Sequence, residues 1–534
     1  MVHYLKGHCD GDVTILRDHI DGNYLIVIWD SKKNVIHILS DRYGHFPLYY
    51  YHENNLFVFS TSMEALLAAV SIKPSLNYSA IAQILCFKRI LSVDTLIEDV
   101  CQLESSSHLT YRPHTTKITI EAYWRPWSGW TGRRALSQNI LPELVSSFTR
   151  NVNRLLEING HHILALSGGY DSRAIAACIL GKKEKFLSVS YGNRTSPDVR
   201  IAKRVALACE LPFEYIEPDD VVQVLSKDIL VKKILSRSGG MLGSNDSFSV
   251  FLKGAETARR FGKAIRIIGH GGELASLDDL YFLRINKSQV DCRMHFSEFL
   301  LTRLSDSIVE KIGRENVFTS EMLPWIDNSS EAVRNICKRL PSDLPVDIKL
   351  TAFFLNEFSR NRQLTGMLNA DGLPTYTPYF DLSFIESLVR TPVNIKMGRK
   401  IHHAILAKNC PALLKIIHAD RGYAPCSGFA HRKLQGILTK VTNMLLQRAR
   451  SNNVSERRAH LRRNNLFREV LFSERALSRN WYRRKWIEYL FNRIETSHDC
   501  AGEMWLICIM GMLELWFRET IERDKNIYMA LLST

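Results

Sequence analysis

The sequence predicts an α+β N-terminal domain, then an α/β domain on a doubly wound parallel sheet, then a helical C-terminal region. Short β-rich runs alternate with turn residues between 23 and 60, the rhythm of antiparallel strands. Three apolar strands between 162 and 274 each end in a polar loop, which implies parallel strands with crossovers and a ligand at their C-terminal ends. The late helices rest on aromatic residues at helical spacing, Trp481, Trp486 and Tyr489, and on the apolar run Met504 to Leu513.

Taken in order, the N-terminal runs are Asn23–Asp30 (NYLIVIWD), Asn34–Asp41 (NVIHILSD), Pro47–Tyr51 and Leu56–Ser60. Asp21-Gly22 and Asn54-Asn55 punctuate them. Ser107 to Trp124 reads as a final hairpin and exit, and Tyr123-Trp124-Arg125-Pro126 as the linker.

The next strand, His162–Leu166, runs into Ser167-Gly168-Gly169-Tyr170-Asp171-Ser172, and a helical stretch begins at Arg173. That order sets backbone N–H groups at a helix N-terminus, where the dipole is positive and phosphate binds. The glycines permit close approach, and Ser167 and Ser172 add hydroxyl donors. Asp171 can cap the helix or reach phosphate through Mg2+. A Gly-Gly turn with ordinary caps uses the same residue types. No G-x-x-x-x-G-K-[ST] occurs. Lys185–Gly192 reads as a second strand, followed by Ser196-Pro197-Asp198, a cap with proline at the first helical position. Val199, Ala202, Val205, Ala206 and Cys209 recur at helical spacing. Ala264–Ile268 is a third strand and ends in Gly269-His270-Gly271-Gly272-Glu273-Leu274.

The first loop matches the S-G-G-x-D-S pyrophosphate loop of the N-type ATP pyrophosphatases. The order of all the segments resembles the asparagine synthetase family: S-G-G-x-D-S, then G-x-x-x-S-P-D-x-x-x-A-x-x-V-A, then G-E-G-x-D-E-L. Pro374–Asp381 (PTYTPYFD) is similar to the family's R-x-P-F-L-D segment. Asp41–Tyr50 (DRYGHFPLYY) and Ser60–Leu66 (STSMEAL) resemble its glutamine amidotransferase half. The resemblance covers about residues 20 to 425. It implies three parts: a truncated amidotransferase-like domain over 1–125, an ATP pyrophosphatase domain over 140–435, and a helical region over 436–534. It implies ATP and Mg2+ as cofactors. Ser167, Gly168, Gly169, Asp171 and Ser172 would hold pyrophosphate, Tyr191, Gly192 and Gly269 would meet adenosine, and Asp171 and Glu273 would meet Mg2+.

Three departures from the family stand out. The family's N-terminal catalytic Cys has no counterpart at Val2, and the first thiol is the internal Cys9. His270 replaces a glutamate that manages protons on the incoming amine; it can do the same work, donate to a phosphate, or be a plain loop histidine. Arg421 falls near the family's catalytic lysine and places its charge differently; Lys400, Lys415 and Lys433 are substitutes, each also readable as a surface lysine.

Composition fits an enzyme of this size. The chain has 534 residues, 46% hydrophobic and 23% charged, enough for a sizeable core. Its eleven cysteines include no C-x-x-C pair, so zinc and redox motifs find no support, and reduced thiols suit the cytoplasm. The start lacks a signal-peptide core, and Met504–Leu513 is too short to span a bilayer. The formal net charge is +15, with much of it between Arg448 and Lys485. Arginines interleaved with Trp481, Tyr482 and Trp486 suit either nucleic acid or a solvated helical face with glutamate partners; the second reading is preferred, so no nucleic acid is expected.

The resemblance thus implies an AMP-forming ligase that activates a carboxylate and amidates it with ammonia or an amine. The carboxylate is a small molecule or a peptide, and a homodimer is left open. The alternatives are a β-lactam- or macrolactam-forming cyclase, as in the β-lactam synthetases and lasso-peptide cyclases, a non-catalytic nucleotide-binding homologue, and a tRNA-modifying pyrophosphatase.

Overall fold

The computed structural model describes residues 13–53, 55–70, 74–135, 137–217, 239–240, 256–262, 264–277, 295–305, 307–358, 374–419, 424–425, 466–497 and 500–522. Val2, Cys9, Arg421, Lys433 and the arginines between 448 and 463 lie outside these residues.

Two antiparallel sheets build the N-terminal region. One has the order β1 (Leu25–Asp30), β2 (Val35–Ser40), β6 (Ser107–Arg112), β7 (Lys117–Ala122), and the other β4 (Leu56–Ser60), β3 (Tyr49–Glu53), β5 (Val100–Gln102). Alternation along the strands turns Ile38, Leu109 and Tyr111 of the first sheet toward Phe57 and Phe59 of the second, and these share one apolar layer. Helices α1 (Ile15–His19), α2 (Met63–Ala69) and α3 (Tyr78–Phe87) flank the sheets. Ser62 and Asn77 cap α2 and α3 by accepting from Ala65 N–H and Ala80 N–H.

A histidine relay crosses the first sheet. Arg17 Nε donates to His108 Nδ1 at 3.1 Å, and His108 Nε2 lies 2.9 Å from His37 Nδ1. Arg17 has no acceptor capacity, so His108 carries its proton on Nε2 and donates it to His37. Glu121 pairs with Arg17 at 3.1 Å. Burial, the largest influence, pulls the His37 pKa down, against a smaller upward pull from Asp30. The folded state therefore holds fewer protons on His37 than the unfolded chain does, and stability rises with pH. The His37 contribution is complete above the unfolded value, about 6.5, and is lost as the pH falls below it. Equilibrium unfolding of wild type and His37→Gln should give a shallower loss between about pH 6.5 and 5 in the variant; parallel curves would refute this.

The second sheet system is parallel throughout. Its order is β10 (Phe213–Ile216), β9 (Phe186–Tyr191), β8 (His162–Ala165), β11 (Ile265–Ile267), β12 (Thr375–Tyr376). Leu164 stands opposite Ser188 on one side and Ile267 on the other. Chain order runs outward from β8 in one direction and resumes at β11 in the other, so the topological switch point, where such sheets bind ligands, lies at the C-terminal ends of β8 and β11. The sequence reading had three of these five strands. β10 is short, and β12 has two residues between prolines, too few to show a period.

The helices around this sheet are α4 (Ser137–Asn153), α5 (Asp171–Cys178), α6 (Pro197–Ala208), α7 (Val346–Phe353), α8 (Leu382–Arg390) and α9 (Lys400–Asn409). α6 starts as its sequence requires: Ser196 Oγ accepts from Val199 N–H, and Pro197 sits at the first turn. α9 packs against α4 and α5. The exit from the N-terminal region is clamped by an ion triad. Arg134 donates to Asp347 Oδ1 at 2.6 Å and Lys396 Nζ to Asp347 Oδ2 at 2.8 Å, with Asp347 and Lys396 fully buried. Burial works to raise the Asp347 pKa, yet Lys396 and Arg134 outweigh it and the net direction is down.

The C-terminal region is helical, with α10 (Arg484–Thr496) and α11 (Ala501–Trp516). Trp481, Tyr482, Trp486 and Leu490 are buried. Tyr489 is a correction: it is 40% exposed and stacks on Trp486 at 5.4 Å. Several described arginines pair with glutamates, some near in sequence, as Arg484 with Glu488, and others distant. Arg479 pairs with Glu514 and Glu522, Arg493 with Glu503, and Arg468 with Glu495. Among the described residues no helix is long and apolar enough to cross a membrane.

Candidate functional site

The loop after β8 is wound tightly on its own side chains. Ser167 N–H donates to Ser172 Oγ at 3.0 Å, the two hydroxyls lie 3.0 Å apart, and Gly169 N–H donates to Ser167 Oγ at 3.2 Å. The Gly168 peptide is held at both ends. Its N–H donates to Asp198 Oδ1 at 2.7 Å, and its carbonyl accepts from Arg173 Nη2 at 3.0 Å. Arg173 is fully buried and donates also to the carbonyls of Ile416 and Ile417. Burial pulls its pKa down to about 10, which leaves it charged at neutral pH. A Cβ on Gly168 would come within 2.7 Å of Ala419 Cβ, so glycine is required there by contact.

Asp171 opens α5 and is where the two loops meet. A Cβ on Gly269 would lie 2.8 Å from Ser172 N and 2.9 Å from Asp171 Cβ. One on Gly272 would lie 2.6 Å from Asp171 Cβ and overlap its carboxyl group. Gly271 takes φ +90° and faces Tyr379 and Phe380 with equally little room. The loop after β11 is therefore glycine-rich because it lies flat on Asp171. His402, buried on α9, sets Nε2 2.9 Å from Asp171 Oδ1, although neither ring nitrogen makes a well-directed hydrogen bond. The Tyr379 hydroxyl donates to the Asp171 carbonyl at 3.1 Å. Burial pushes the Tyr379 pKa well up, and the Asp171 and Glu273 charges add to this. Glu273 is buried and accepts from Gly271 N–H at 3.0 Å, bracing its own loop.

The structure thus gathers Ser167, Gly168, Gly169, Asp171, Ser172, Gly269 and Glu273 at one crevice. Tyr191 ends β9, and its hydroxyl lies 2.7 Å from Thr257 Oγ1 and bonds the buried Arg266, pointing into the fold. Gly192 takes φ +138° and donates to Ile216 O at 2.9 Å. His270 sits half-buried, its ring 6.0 Å from Phe354 and 5.4 Å from Phe380. Lys400 and Lys415 are exposed. Among the described residues no group of three or more His, Cys, Asp or Glu gathers as a metal cage.

Sequence reasoning missed Asp198, Tyr379, His402 and Arg399. Arg399 lies with its Cζ 4.4 Å from the centre of the Tyr170 ring. Asp198 and Tyr379 stood inside quoted motif segments without a role. His402 and Arg399 carry no local signal, because their place depends on how α9 packs on α5.

A glutamine amidotransferase domain model matches residues 10–124. Among curated proteins, the chain is similar to asparagine synthetase (glutamine-hydrolyzing) 3 of Bacillus subtilis strain 168, at 27% identity over 170 residues, 32% of this chain and 27% of that protein. It is also similar to asparagine synthetase (glutamine-hydrolyzing) 2 of the same organism, at 25% identity over 207 residues, 36% of this chain and 28% of that protein. The matched stretches thus span about a quarter of those relatives' lengths. Together these likenesses support a resemblance to the asparagine synthetase family, with a glutamine amidotransferase-like domain at the N-terminal end of the chain.

Proposed function

We propose that this protein is an ATP-dependent amide synthetase. A substrate carboxylate attacks the α-phosphorus of ATP, pyrophosphate leaves, and ammonia or an amine then displaces AMP from the acyl-adenylate. The observation that carries this reading is the meeting of the loop after β8 with the loop after β11 on Asp171. Two polar loops at adjacent parallel strand ends, one of them opening a helix, suit a nucleotide's phosphates.

In this reading Ser167, Gly168, Gly169 and Ser172 line the pyrophosphate, with Asp198 and Arg173 fixing the Gly168 peptide. Gly192 and Gly269 border adenosine, and Tyr191 forms its floor. His270 takes or gives the amine's proton, work suited to an imidazole near neutral pH; Arg421 supplies positive charge. Mg2+ fits this site with Asp171 as the partly exposed carboxylate, Glu273 as the second acid, and phosphate and water completing the shell, the usual sparse protein contribution to this ion. Bound there, it would neutralise charge on the leaving pyrophosphate. The domain division at 1–125, 140–435 and 436–534 belongs to the same proposal.

The test is pyrophosphate release from ATP across a panel of carboxylates, with ammonia or amines supplied. AMP and pyrophosphate should appear together, and chelation of divalent cations should remove both. ADP as the product would sink the reading.

A further inference from the structure

Among the described residues, the ring of Phe380 links the amidotransferase-like region to the loop after β11. Phe380 follows β12 in a short turn, Pro378–Phe380, and is 8% exposed. Its ring meets Tyr43 edge-on at 5.2 Å and His45 edge-on at 5.9 Å. On its other side it meets His270 at 5.4 Å and lies close enough to Gly271 to exclude a Cβ.

The surface that presents Tyr43 and His45 is built rigidly. Asp41 is wholly buried and accepts from Tyr43 N–H and His45 N–H, both at 2.9 Å, and its Oδ1 lies 2.8 Å from His45 Nδ1. The Asp41 carbonyl accepts from Gly44 N–H and Ser106 N–H. A carboxylate so bonded cannot turn, and the His45 ring cannot turn without it. Trp124 closes the cluster at 5.6 Å from Tyr43.

We propose that His45 is a positioning residue for His270: Asp41 locks His45, His45 and Tyr43 hold Phe380, and Phe380 holds the loop that carries His270. The amidotransferase-like region would then serve the synthetase crevice mechanically, whatever its own chemistry. The kinetic part rests on the synthetase reading above; the mechanical part stands without it. Edge-on aromatic contacts are directional, so removing one ring frees Phe380 to shift, and a shift of the order of 1 Å at a reacting group can cost about a hundredfold in rate.

The test uses the full-length protein. Hydrogen exchange of the amides of 269–274 should be several-fold faster in His45→Ala than in wild type, with exchange in 162–166 unchanged. His45→Phe, which keeps a ring against Phe380, should restore slow exchange; His45→Asn, which keeps a hydrogen bond to Asp41 without the ring, should not. In the assay, His45→Ala should lose at least tenfold in kcat for amide formation with the KM for ATP unchanged, and His45→Phe should recover most of it. Unchanged exchange at 269–274 would overturn the proposal, as would faster exchange across the whole parallel sheet, which marks general loosening. A wild type that releases no pyrophosphate fails the synthetase reading alone, because the exchange comparison still decides the mechanical claim.

Discussion

Asp171→Ala should reduce ATP-dependent pyrophosphate release by about a thousandfold, the upper end of the loss when one preorganised charge-stabilising group is removed. The expectation follows from what touches this side chain. Gly269 and Gly272 lie against it, His402 reaches its Oδ1, and its backbone carbonyl takes the Tyr379 hydroxyl. Removing the carboxyl group takes away the proposed Mg2+ ligand and leaves His402 beside a void. Asp171→Asn keeps the volume and separates charge from shape; it should lose nearly as much. Gly272→Ala gives a complementary route, since its new methyl would displace the intact carboxylate. Release rates with saturating carboxylate, alongside thermal melting to confirm folding, decide the matter. A folded Asp171→Ala protein with wild-type rates would end the synthetase assignment.

The largest expected effect on stability lies elsewhere, in the triad of Arg134, Asp347 and Lys396. Asp347→Ala would leave the Lys396 ammonium, 0% exposed, without its counter-charge. Removing one partner of a buried pair costs about 3–5 kcal/mol. Replacing both, as in Asp347→Leu with Lys396→Met, should restore most of that loss, because neither charge then has to be desolvated. Arg134 can release its charge to solvent, since its side chain is 25% exposed and it keeps the carbonyls of Val389 and Thr391. Denaturant midpoints at a constant slope measure all three proteins. A loss below about 1 kcal/mol for Asp347→Ala would show that water reaches the site.

Much of the crevice was legible because its parts are local. The S-G-G-Y-D-S loop, the Ser196 cap and the 269–274 loop each declare themselves within a few residues, through glycine, proline and capping chemistry. Strands β8, β9 and β11 showed as apolar runs. What stayed hidden depends on distance along the chain. His402 reaches Asp171 only because α9 packs on α5, and no period or motif encodes that approach. β12 is stabilised by its neighbour β11 rather than by its own two residues. Tyr489 carries an inward spacing yet lies at the rim of its helix's buried face, where stacking on Trp486 satisfies it without burial.

The order of strands in the parallel sheet also constrains when this protein can become competent. β8, β9 and β10 are near neighbours in sequence, so their loops close cheaply. The partner strand β11 and the Tyr379 hydroxyl arrive much later, the latter 208 residues after the Asp171 carbonyl it bonds. During synthesis one wall of the crevice is therefore complete long before the other exists, and the glycine-rich loop waits with its far side open. Pulse-labelled hydrogen exchange in refolding should protect 186–191 ahead of 265–267. Simultaneous protection would mean the sheet closes as one cooperative unit. A chain stalled before β11 would carry a folded half-sheet and no Asp171–His402 contact, a species that a quality-control protease would meet as an exposed strand edge.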